Sequence, residues 1–198
     1  MFTGIIELLC YFKDLSKKGE FFSLSVSCDG LNDPKTGESI AINGICLTLN
    51  SFYDNIYSFD ISAETLKKTT IGTFKRGKEM NLERSLKVGD RVGGHFVYGH
   101  IDCHAVLSGR YTRSSEEVFR FHVKETPQYL IPKGSISIDG ISLTISSVIS
   151  TGLFEVSVIP ETVRRTNLGK LKINGRVNIE FDMMVKYLDG VSKNVRQH

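Results

Sequence analysis

The chain has 198 residues, of which 40% are hydrophobic and 24% charged, so it can form one large domain or two of about 100 residues. Its net charge of +3 is too small to indicate nucleic acid as a partner, and the densest basic cluster, Lys67-Lys68 with Lys75-Arg76 and Lys78, is typical of a solvated face. No run approaches the roughly 18 apolar residues of a membrane span, and MFTGIIELLCYF lacks the features of a signal peptide. We therefore expect a cytoplasmic protein without a membrane partner.

One phrase of nine residues occurs twice in the chain, as AINGICLTL at 41–49 and as SIDGISLTI at 137–145. Other matched pairs follow in the same order, about 95 to 97 residues apart: TGII from Thr3 with YGHI from Tyr98, ETLKKTTIG from Glu64 with ETVRRTNLG from Glu161, and Asn81-Leu82-Glu83 with Asn178-Ile179-Glu180. Ordered matches at a nearly constant offset indicate two homologous domains. We place the boundary near Gly93-Gly94, which predicts domains at 1–94 and 95–183 and a terminal segment at 184–198.

Each half has the pattern of a small β-structure. Asn43-Gly44 and Asp139-Gly140 each interrupt a run of alternating apolar and polar residues, which predicts a tight hairpin at both places. Further alternating runs raise the total to about six short strands per half: Phe22–Val26, Phe119–Val123, Phe154–Val158 and Val177–Phe181. Closing the sheet leaves no exposed edge, so we predict an all-β protein of two small barrels.

Helices are few in this prediction. One short helix per half is expected at Glu64-Thr65 and at Pro160-Glu161-Thr162, with Gly169 after the end of the second. Near the C-terminus, apolar residues recur at heptad-like spacing: Met184, Leu188, Val191 and Val195. A helix this short is not stable alone, so we expect its stripe to pack on a barrel or on partner chains.

Polar residues also recur at matched positions, beside the hairpins and the helix starts: Thr48 and Thr144, Glu64 and Glu161, Thr65 and Thr162. Helix capping and one small-ligand pocket per barrel both explain the Glu-Thr pairs, and both interpretations stay open. Elsewhere the matched residues differ, because Cys46 corresponds to Ser142 and Ile5 to His100. Two similar pockets with different reactive groups are the arrangement expected if two similar molecules take different roles.

The cysteines and histidines offer little sign of a metal. The four cysteines form no CxxC pair and fit reduced thiols: Cys10, Cys28, Cys46 and Cys103. Only Cys46 lies in a repeated phrase, and the other three are interpreted as small core or loop residues. The spacing of the histidines near Cys103 matches no zinc pattern: His95, His100 and His104. His100 is a candidate proton shuttle, with a structural hydrogen bond as the alternative.

Five segments together carry a family likeness: MFTGII, SIAINGICLTL, GGHFVYGHID, KGSISIDGISLTI and IPETVRRTNLG. From Met1 to about Asp182 the chain closely resembles the alpha-chain type of riboflavin synthase. The resemblance implies two six-stranded Greek-key barrels and a C-terminal helix that forms a homotrimer. It also implies the dismutation of two 6,7-dimethyl-8-ribityllumazine molecules, without metal or organic cofactor, to riboflavin and 5-amino-6-(D-ribitylamino)uracil. Each active site would form between the N-terminal barrel of one subunit and the C-terminal barrel of its neighbour.

Site residues follow from the same resemblance, one set for each barrel. The set implied for the N-terminal barrel is Gly4, Ile5, Ile6, Cys46, Leu47, Thr48, Asp60, Ile61, Ser62, Ala63, Glu64 and Thr65. The set implied for the C-terminal barrel is Gly99, His100, Ile101, Lys133, Ser142, Leu143, Thr144, Ser157, Val158, Ile159, Pro160, Glu161 and Thr162. The residues implied at or near the chemistry are Cys46, His100, Ser142, Thr144 and Asp182, with Phe2 covering the site.

The implied chemistry gives the differing residues different tasks. His100, acting through Ser142, would help to remove the acidic proton of the lumazine 7-methyl group. Cys46 or a water molecule would activate the second lumazine by adding to its ring. Lumazine-binding fluorescent proteins are the rival interpretation, because they share the duplicated barrel but bind one chromophore without turnover. The presence of reactive residues in both halves favours the enzyme.

Overall fold

The computed structural model describes residues 1–195, in which twelve antiparallel strands form two closed barrels. The first barrel contains β1 (Leu8–Lys18), β2 (Phe21–Ser27), β3 (Ser39–Ile42), β4 (Ile45–Tyr53), β5 (Ile56–Ile61) and β6 (Glu79–Arg84). The second contains β7 (Cys103–Arg113), β8 (Glu116–Val123), β9 (Ser135–Ile138), β10 (Ile141–Ser150), β11 (Leu153–Val158) and β12 (Arg176–Phe181). The strand order is β1-β2-β5-β4-β3-β6 in one and β7-β8-β11-β10-β9-β12 in the other. The two halves therefore share one topology, and the predicted pair of barrels is confirmed.

The two predicted hairpins join β3 to β4 and β9 to β10. Asn43 and Gly44 have φ values of 45° and 75°, and Asp139 and Gly140 have values of 46° and 82°. Positive φ at both central residues is the geometry of a type I′ turn, which matches the twist of the flanking strands. Because side chains alternate along β4, Cys46 points away from the barrel core that its neighbours fill.

Each barrel has its own apolar core. Leu24, Ile40 and Phe59 are fully buried in the first, while Phe121 and Phe154 stack in the second with ring centroids 5.8 Å apart. Each fully buried side chain of this size contributes about 1.5–3 kcal/mol to folding. The barrels are therefore separately packed bodies, and the contact between them needs its own explanation.

That contact is a polar seam, formed by Asn43, Asn81, Asp139, Asn167 and Asn178. The amide of Asn81 donates to the carbonyl of Asp139 at 2.9 Å, and the amide of Asn178 donates to the carbonyl of Asn43 at 3.0 Å. Asn167 donates to a carboxylate oxygen of Asp139 at 2.7 Å. All five are buried, so these hydrogen bonds satisfy groups that would otherwise be costly to remove from water.

Three α-helices complete the described chain: α1 (Ala63–Lys68), α2 (Pro160–Arg165) and α3 (Met183–Val195). Gly169 lies after the end of α2, as expected, within a 3-10 turn at Asn167–Lys170. No helix within residues 1–195 is long and apolar enough to cross a membrane.

The terminal helix α3 is tied to the second barrel by polar contacts. Lys186 bonds to Asp102 at 2.8 Å, and the hydroxyl of Tyr129 donates to Asp189 at 3.0 Å. The predicted stripe residues Met184, Leu188 and Val191 are all more than 60% exposed, so within this chain they do not pack on a barrel. The side chain of Val195 and residues 196–198 lie outside the described part.

Candidate functional site

Each barrel has one small pocket beside its short helix, with a volume of about 220 Å³. The N-pocket is lined by Ile45, Cys46, Glu64, Thr65, Lys68, Thr69, Gly99, His100 and Ile101. The C-pocket is lined by Ile141, Ser142, Glu161, Thr162, Arg165, Thr166, Gly4, Ile5 and Ile6. Every position in one list corresponds to a position in the other through the sequence repeat. The duplication therefore produces two equivalent pockets whose linings differ in chemistry.

Each pocket is lined in part by a segment of the other barrel. Segment 4–6, which precedes β1, lines the pocket of the second barrel, and segment 99–101, which precedes β7, lines the pocket of the first. The carbonyl of Gly4 accepts the backbone N–H of Ser142 at 2.8 Å, and the carbonyl of Gly99 accepts that of Cys46 at 3.0 Å. The grouping expected from the resemblance, with each segment in its own barrel, is wrong on this point.

Glycine is required where these exchanged segments touch the opposite strand. Gly4 and Gly99 have φ values of +76° and +78°. A β-carbon on Gly4 would lie 2.5 Å from the β-carbon of Ser142, and one on Gly99 would lie 2.5 Å from the β-carbon of Cys46. Only a residue without a side chain fits both the backbone conformation and the contact.

The N-pocket contains both the thiol of Cys46 and the imidazole of His100. Cys46 is partly accessible, whereas the other three cysteines are buried. Burial raises the pKa of Cys28 to about 11 and that of Cys103 to about 12, and it also raises the pKa of Cys10. These observations confirm that three cysteines are core residues and leave Cys46 as the accessible thiol. Within this chain His100 lines the N-pocket and Ser142 the C-pocket, so the expected action of His100 through Ser142 stays a prediction for a site formed between two chains.

A different histidine meets Ser142. The Nδ1 atom of His95 lies 2.7 Å from the hydroxyl oxygen of Ser142. Burial lowers the pKa of His95, and the nearby charge of Asp182 partly opposes that effect. His95 and Asp182 both line a further cavity of about 240 Å³ at the start of α3. A neutral imidazole against a hydroxyl is able to accept a proton through it.

At the start of α1, Thr65 of the Glu-Thr pair takes part in the helix cap. Ser62 caps α1 by accepting the N–H of Thr65 at 3.0 Å, whereas α2 has no side-chain cap. Glu64 instead pairs with Lys68 at 2.9 Å, and Glu161 pairs with Arg165 at 2.6 Å. Neither glutamate is a cap, and each stands with its basic partner in a pocket lining.

The comparisons with known proteins agree with this geometry. The family described as Lumazine binding domain matches twice, at residues 3–85 and 98–182. The riboflavin synthase of Chlamydia pneumoniae is 43% identical over 195 residues, covering 94% of this chain and 92% of the relative. That of Escherichia coli (strain K12) is 41% identical over 189 residues, covering 92% and 87%. The chain belongs to the riboflavin synthase family.

Solved structures support the fold independently of that identification. The structure of LumP complexed with riboflavin superposes with a TM-score of 0.83 at 23% identity, covering 92% of this chain and all of the other. LumP complexed with 6,7-dimethyl-8-(1'-D-ribityl) lumazine gives a TM-score of 0.81 at 24% identity. The chain therefore shares the duplicated barrel of these proteins.

Twelve of the implied riboflavin synthase site residues line the two pockets, and they come from the helix starts, the exchanged segments and one outward strand position: Gly4, Ile5, Ile6, Cys46, Glu64, Thr65, Gly99, His100, Ile101, Ser142, Glu161 and Thr162. Four others point into the barrel cores because side chains alternate along a strand: Leu47, Ile61, Leu143 and Val158. The remaining ones lie outside both linings: Thr48, Asp60, Ser62, Ala63, Lys133, Thr144, Ser157, Ile159 and Pro160. Thr48 and Thr144 share the outward strand face of Cys46 and Ser142, two residues further along.

Phe2 does not lie over either pocket within this chain. It is fully buried, it forms a two-way backbone bridge with Val97, and it packs with Ala41 and Cys46. Phe2 and Val97 lie two residues before the exchanged segments. The expectation that Phe2 covers a site shared between two chains stays a prediction.

Several lining residues were missed by the sequence analysis. Lys68 and Arg165 stand four residues after the repeated glutamates, and that spacing was a usable signal. His95 has no counterpart in the repeat and gave no such signal. Within residues 1–195, no group of three or more histidine, cysteine or acidic side chains is arranged to hold a metal.

Proposed function

We propose that this chain is a riboflavin synthase, which converts two molecules of 6,7-dimethyl-8-ribityllumazine into riboflavin and 5-amino-6-(D-ribitylamino)uracil, the final step of riboflavin biosynthesis. A four-carbon unit passes between two identical substrates. One lumazine must therefore act as donor and the other as acceptor. The membership of the family and the two lumazine-binding repeats support this proposal.

The observation that carries the proposal is the pair of equivalent pockets with unequal reactive groups. The N-pocket presents a thiol and an imidazole, and the C-pocket presents a hydroxyl backed by a second imidazole. The pockets match in size and in their Glu-Thr and basic residues, so the same molecule fits each. The differing groups then assign the two molecules different roles.

In this proposal Ser142 and His95 act on one lumazine. The 7-methyl group of the lumazine is acidic because the ring system delocalises the carbanion that forms. His95 takes up the proton through the hydroxyl of Ser142, since burial keeps the imidazole neutral near physiological pH. Asp182, whose negative charge acts to raise the pKa of His95, stabilises the imidazolium once it forms.

The second lumazine is activated by addition to its ring. Cys46 is the accessible thiol in the N-pocket and supplies the nucleophile, with His100 in the same lining to take its proton. Binding both rings in prepared pockets also removes part of the entropic barrier to a reaction between two molecules. No metal or organic cofactor has a role in this scheme.

The proposal includes an assembly. Each single pocket is small and open, so an active site that holds two lumazines needs the N-pocket of one chain to face the C-pocket of another. The exposed residues Met184, Leu188 and Val191 of α3 form the surface through which three chains associate. Residues 1–94 and 95–183 are the two lumazine-binding units and 184–198 the trimerisation segment, and the location is cytoplasmic, where unpaired thiols persist.

Turnover decides between this enzyme and a binding protein. Purified protein is incubated with 6,7-dimethyl-8-ribityllumazine while riboflavin fluorescence is recorded, and lumazine affinity is measured separately. Riboflavin formed at half the rate of lumazine consumption supports the proposal. Tight binding without any riboflavin refutes it in favour of the binding protein.

The assembly has its own test by analytical ultracentrifugation. Leu188→Glu places a charge in the exposed apolar surface of α3 and should convert trimers into monomers. Val88→Glu is the matched control, because Val88 is also exposed but lies outside α3. A monomeric unmodified protein, or equal behaviour of the two variants, contradicts the proposed interface.

A further inference from the structure

Two buried glutamates hold the exchanged segments in place. Glu83 in β6 and Glu180 in β12 are repeat counterparts, with exposures of 4% and 2%. Within residues 1–195, neither carboxylate has a basic partner at ion-pair distance. A carboxylate removed from water without a cation is costly, so the hydrogen bonds that it accepts must compensate.

Glu180 is connected to the N-pocket through the backbone of the segment before β7. Its two carboxylate oxygens accept the N–H groups of Tyr98 at 2.7 Å and Gly99 at 2.8 Å. The carbonyl of Gly99 in turn accepts the N–H of Cys46 at 3.0 Å. A side chain of the second barrel thereby fixes a wall of the first barrel's pocket.

Glu83 makes the reciprocal connection. Its carboxylate accepts the backbone N–H and the hydroxyl of Thr3 at 2.6 and 2.9 Å, and the N–H of Gly4 at 3.0 Å. The carbonyl of Gly4 then accepts the N–H of Ser142 at 2.8 Å. The first barrel thereby fixes a wall of the second barrel's pocket.

The contacts leave little freedom at either pocket. Because the α-carbons of Gly4 and Gly99 lie directly against Ser142 and Cys46, a shift of either segment changes the space beside the reactive side chain. Displacements of about 1 Å in a catalytic site can reduce the rate about a hundredfold.

We propose that Glu180 is a positioning residue for Cys46 in the N-pocket and that Glu83 is a positioning residue for Ser142 in the C-pocket, so that each barrel's carboxylate sets the geometry of the other barrel's pocket. The consequence for turnover rests on the proposed function. The coupling itself is a property of the chain and can be measured without lumazine.

The charge of Glu180 gives this coupling a measurable signature. Burial raises the pKa of Glu180 to about 7, with Lys186 lowering it and Asp102 raising it. Those two neighbours are themselves paired at 2.8 Å. The ionised carboxylate accepts both N–H groups, whereas the protonated form accepts only one well. The hydrogen bonds from Glu180 that fix Gly99 should therefore weaken as the pH falls through about 7.

Alkylation of Cys46 by iodoacetamide is a direct probe, because the other three cysteines are buried. Glu180→Gln should accelerate alkylation about fivefold, the factor that corresponds to one lost hydrogen bond of about 1 kcal/mol. Glu83→Gln is the matched control, since it makes the same change in the other half and should leave the rate at Cys46 unaltered. Equal acceleration in both variants indicates general loosening and overturns the proposal.

The pH dependence separates positioning from mere stability. We compare the rate of Cys46 alkylation in the Glu180→Gln variant with the rate in the original protein. The ratio of the two rates should approach one below pH 7, where Glu180 is protonated, and should increase above pH 7. A ratio that is constant across pH 5.5 to 8.5 refutes the role of the carboxylate. If Glu180→Gln does not fold, Lys186→Met serves instead, with Glu180 left in place. Removing the charge of Lys186 should raise the pKa of Glu180 and so move the midpoint of the pH dependence of Cys46 alkylation to higher pH. An unmoved midpoint then refutes the role.

Turnover provides the last readout and keeps the two proposals distinguishable. If the protein forms riboflavin, Glu180→Gln should lower kcat more than it raises the Kd for lumazine. If the protein forms none, the proposed function fails while the alkylation result still decides the coupling. A variant with unchanged kcat and altered alkylation would refute the link between the coupling and the reaction.

Discussion

Two glycines meet where the barrels touch at their hairpin turns, so a single methyl group there should be costly. Gly44 and Gly140 lie back to back at the hairpin turns, with φ values of +75° and +82°. A β-carbon on Gly44 would lie 2.6 Å from the backbone nitrogen of Gly140 and 2.9 Å from its α-carbon. Because those atoms belong to the main chain, neither can rotate away as a side chain could.

Two costs add in Gly44→Ala. An alanine at positive φ is strained by about 1–2 kcal/mol, and an extra methyl group in a close-packed contact costs about 1–3 kcal/mol. Together they reduce the free energy of unfolding by about 2–5 kcal/mol, a large share of the roughly 5–15 kcal/mol typical of a folded protein.

Gly77→Ala isolates the first cost. Gly77 has a φ of +85°, but nothing lies within 4 Å of the position that its β-carbon would occupy. Guanidinium unfolding followed by far-UV circular dichroism should show Gly44→Ala less stable than Gly77→Ala by about 1–3 kcal/mol. Equal stability of the two variants would show that the barrels do not meet at Gly44 as described. Gly140→Ala repeats the experiment from the opposite side and should match Gly44→Ala.

Three further predictions concern the pockets and the seam. Cys46→Ala should lower riboflavin formation at least about tenfold, or 1.4 kcal/mol of barrier, while lumazine affinity measured by fluorescence titration changes little; unaltered turnover removes Cys46 from the chemistry. His95→Gln should lower kcat by about 10²- to 10⁴-fold. It should also abolish the loss of activity at acid pH that protonation of His95 causes, which burial shifts to lower pH than for a free histidine; a loss of activity at acid pH that persists in the variant refutes this assignment. Burial raises the pKa of Asp139 from its ordinary value to about 6, so the folded state binds the proton more tightly than the unfolded state, and the free energy of unfolding should gain up to about 3 kcal/mol as the pH falls from 7 to 4. Asp139→Asn should lack that gain in denaturant titrations at each pH, and an identical pH dependence in both proteins contradicts it.

The fold could be predicted because its signals are local and occur twice. Asn43-Gly44 and Asp139-Gly140 need only their neighbours to specify a type I′ turn, and alternation along β4 and β10 shows which side chains face the core. Strands β6 and β12 alternate in sequence, but both of their faces are buried, because one face fills a barrel while the other meets the opposite barrel. Residues such as Asn81 therefore looked like ordinary strand positions, although they form the polar seam.

The exchange of segments could not be predicted, for a reason inherent in the repeat. Gly4 and Gly99 are equivalent, as are Ser142 and Cys46, so packing within one barrel and packing across two barrels pair the same types of phrase. Only the three-dimensional path of the chain distinguishes these arrangements. The role of His95 could not be predicted for a different reason. His95 precedes the repeated phrase that begins at Tyr98, so the first half contains no equivalent residue with which to compare it.

The polar seam shows what joining two barrels in one gene makes possible. In a dimer of identical chains, the residue at position 43 and its counterpart across the axis would have to be the same. Two aspartates would place two negative charges side by side in a dry interior, and two asparagines would leave a second amide nitrogen without a partner, as the Nδ2 atom of Asn43 already is within the described chain. A single polypeptide can instead mutate one copy alone. Asn43 against Asp139 and Cys46 against Ser142 are differences of this kind. Because both barrels belong to one chain, each half can change its residues independently, which two identical chains in a dimer cannot do.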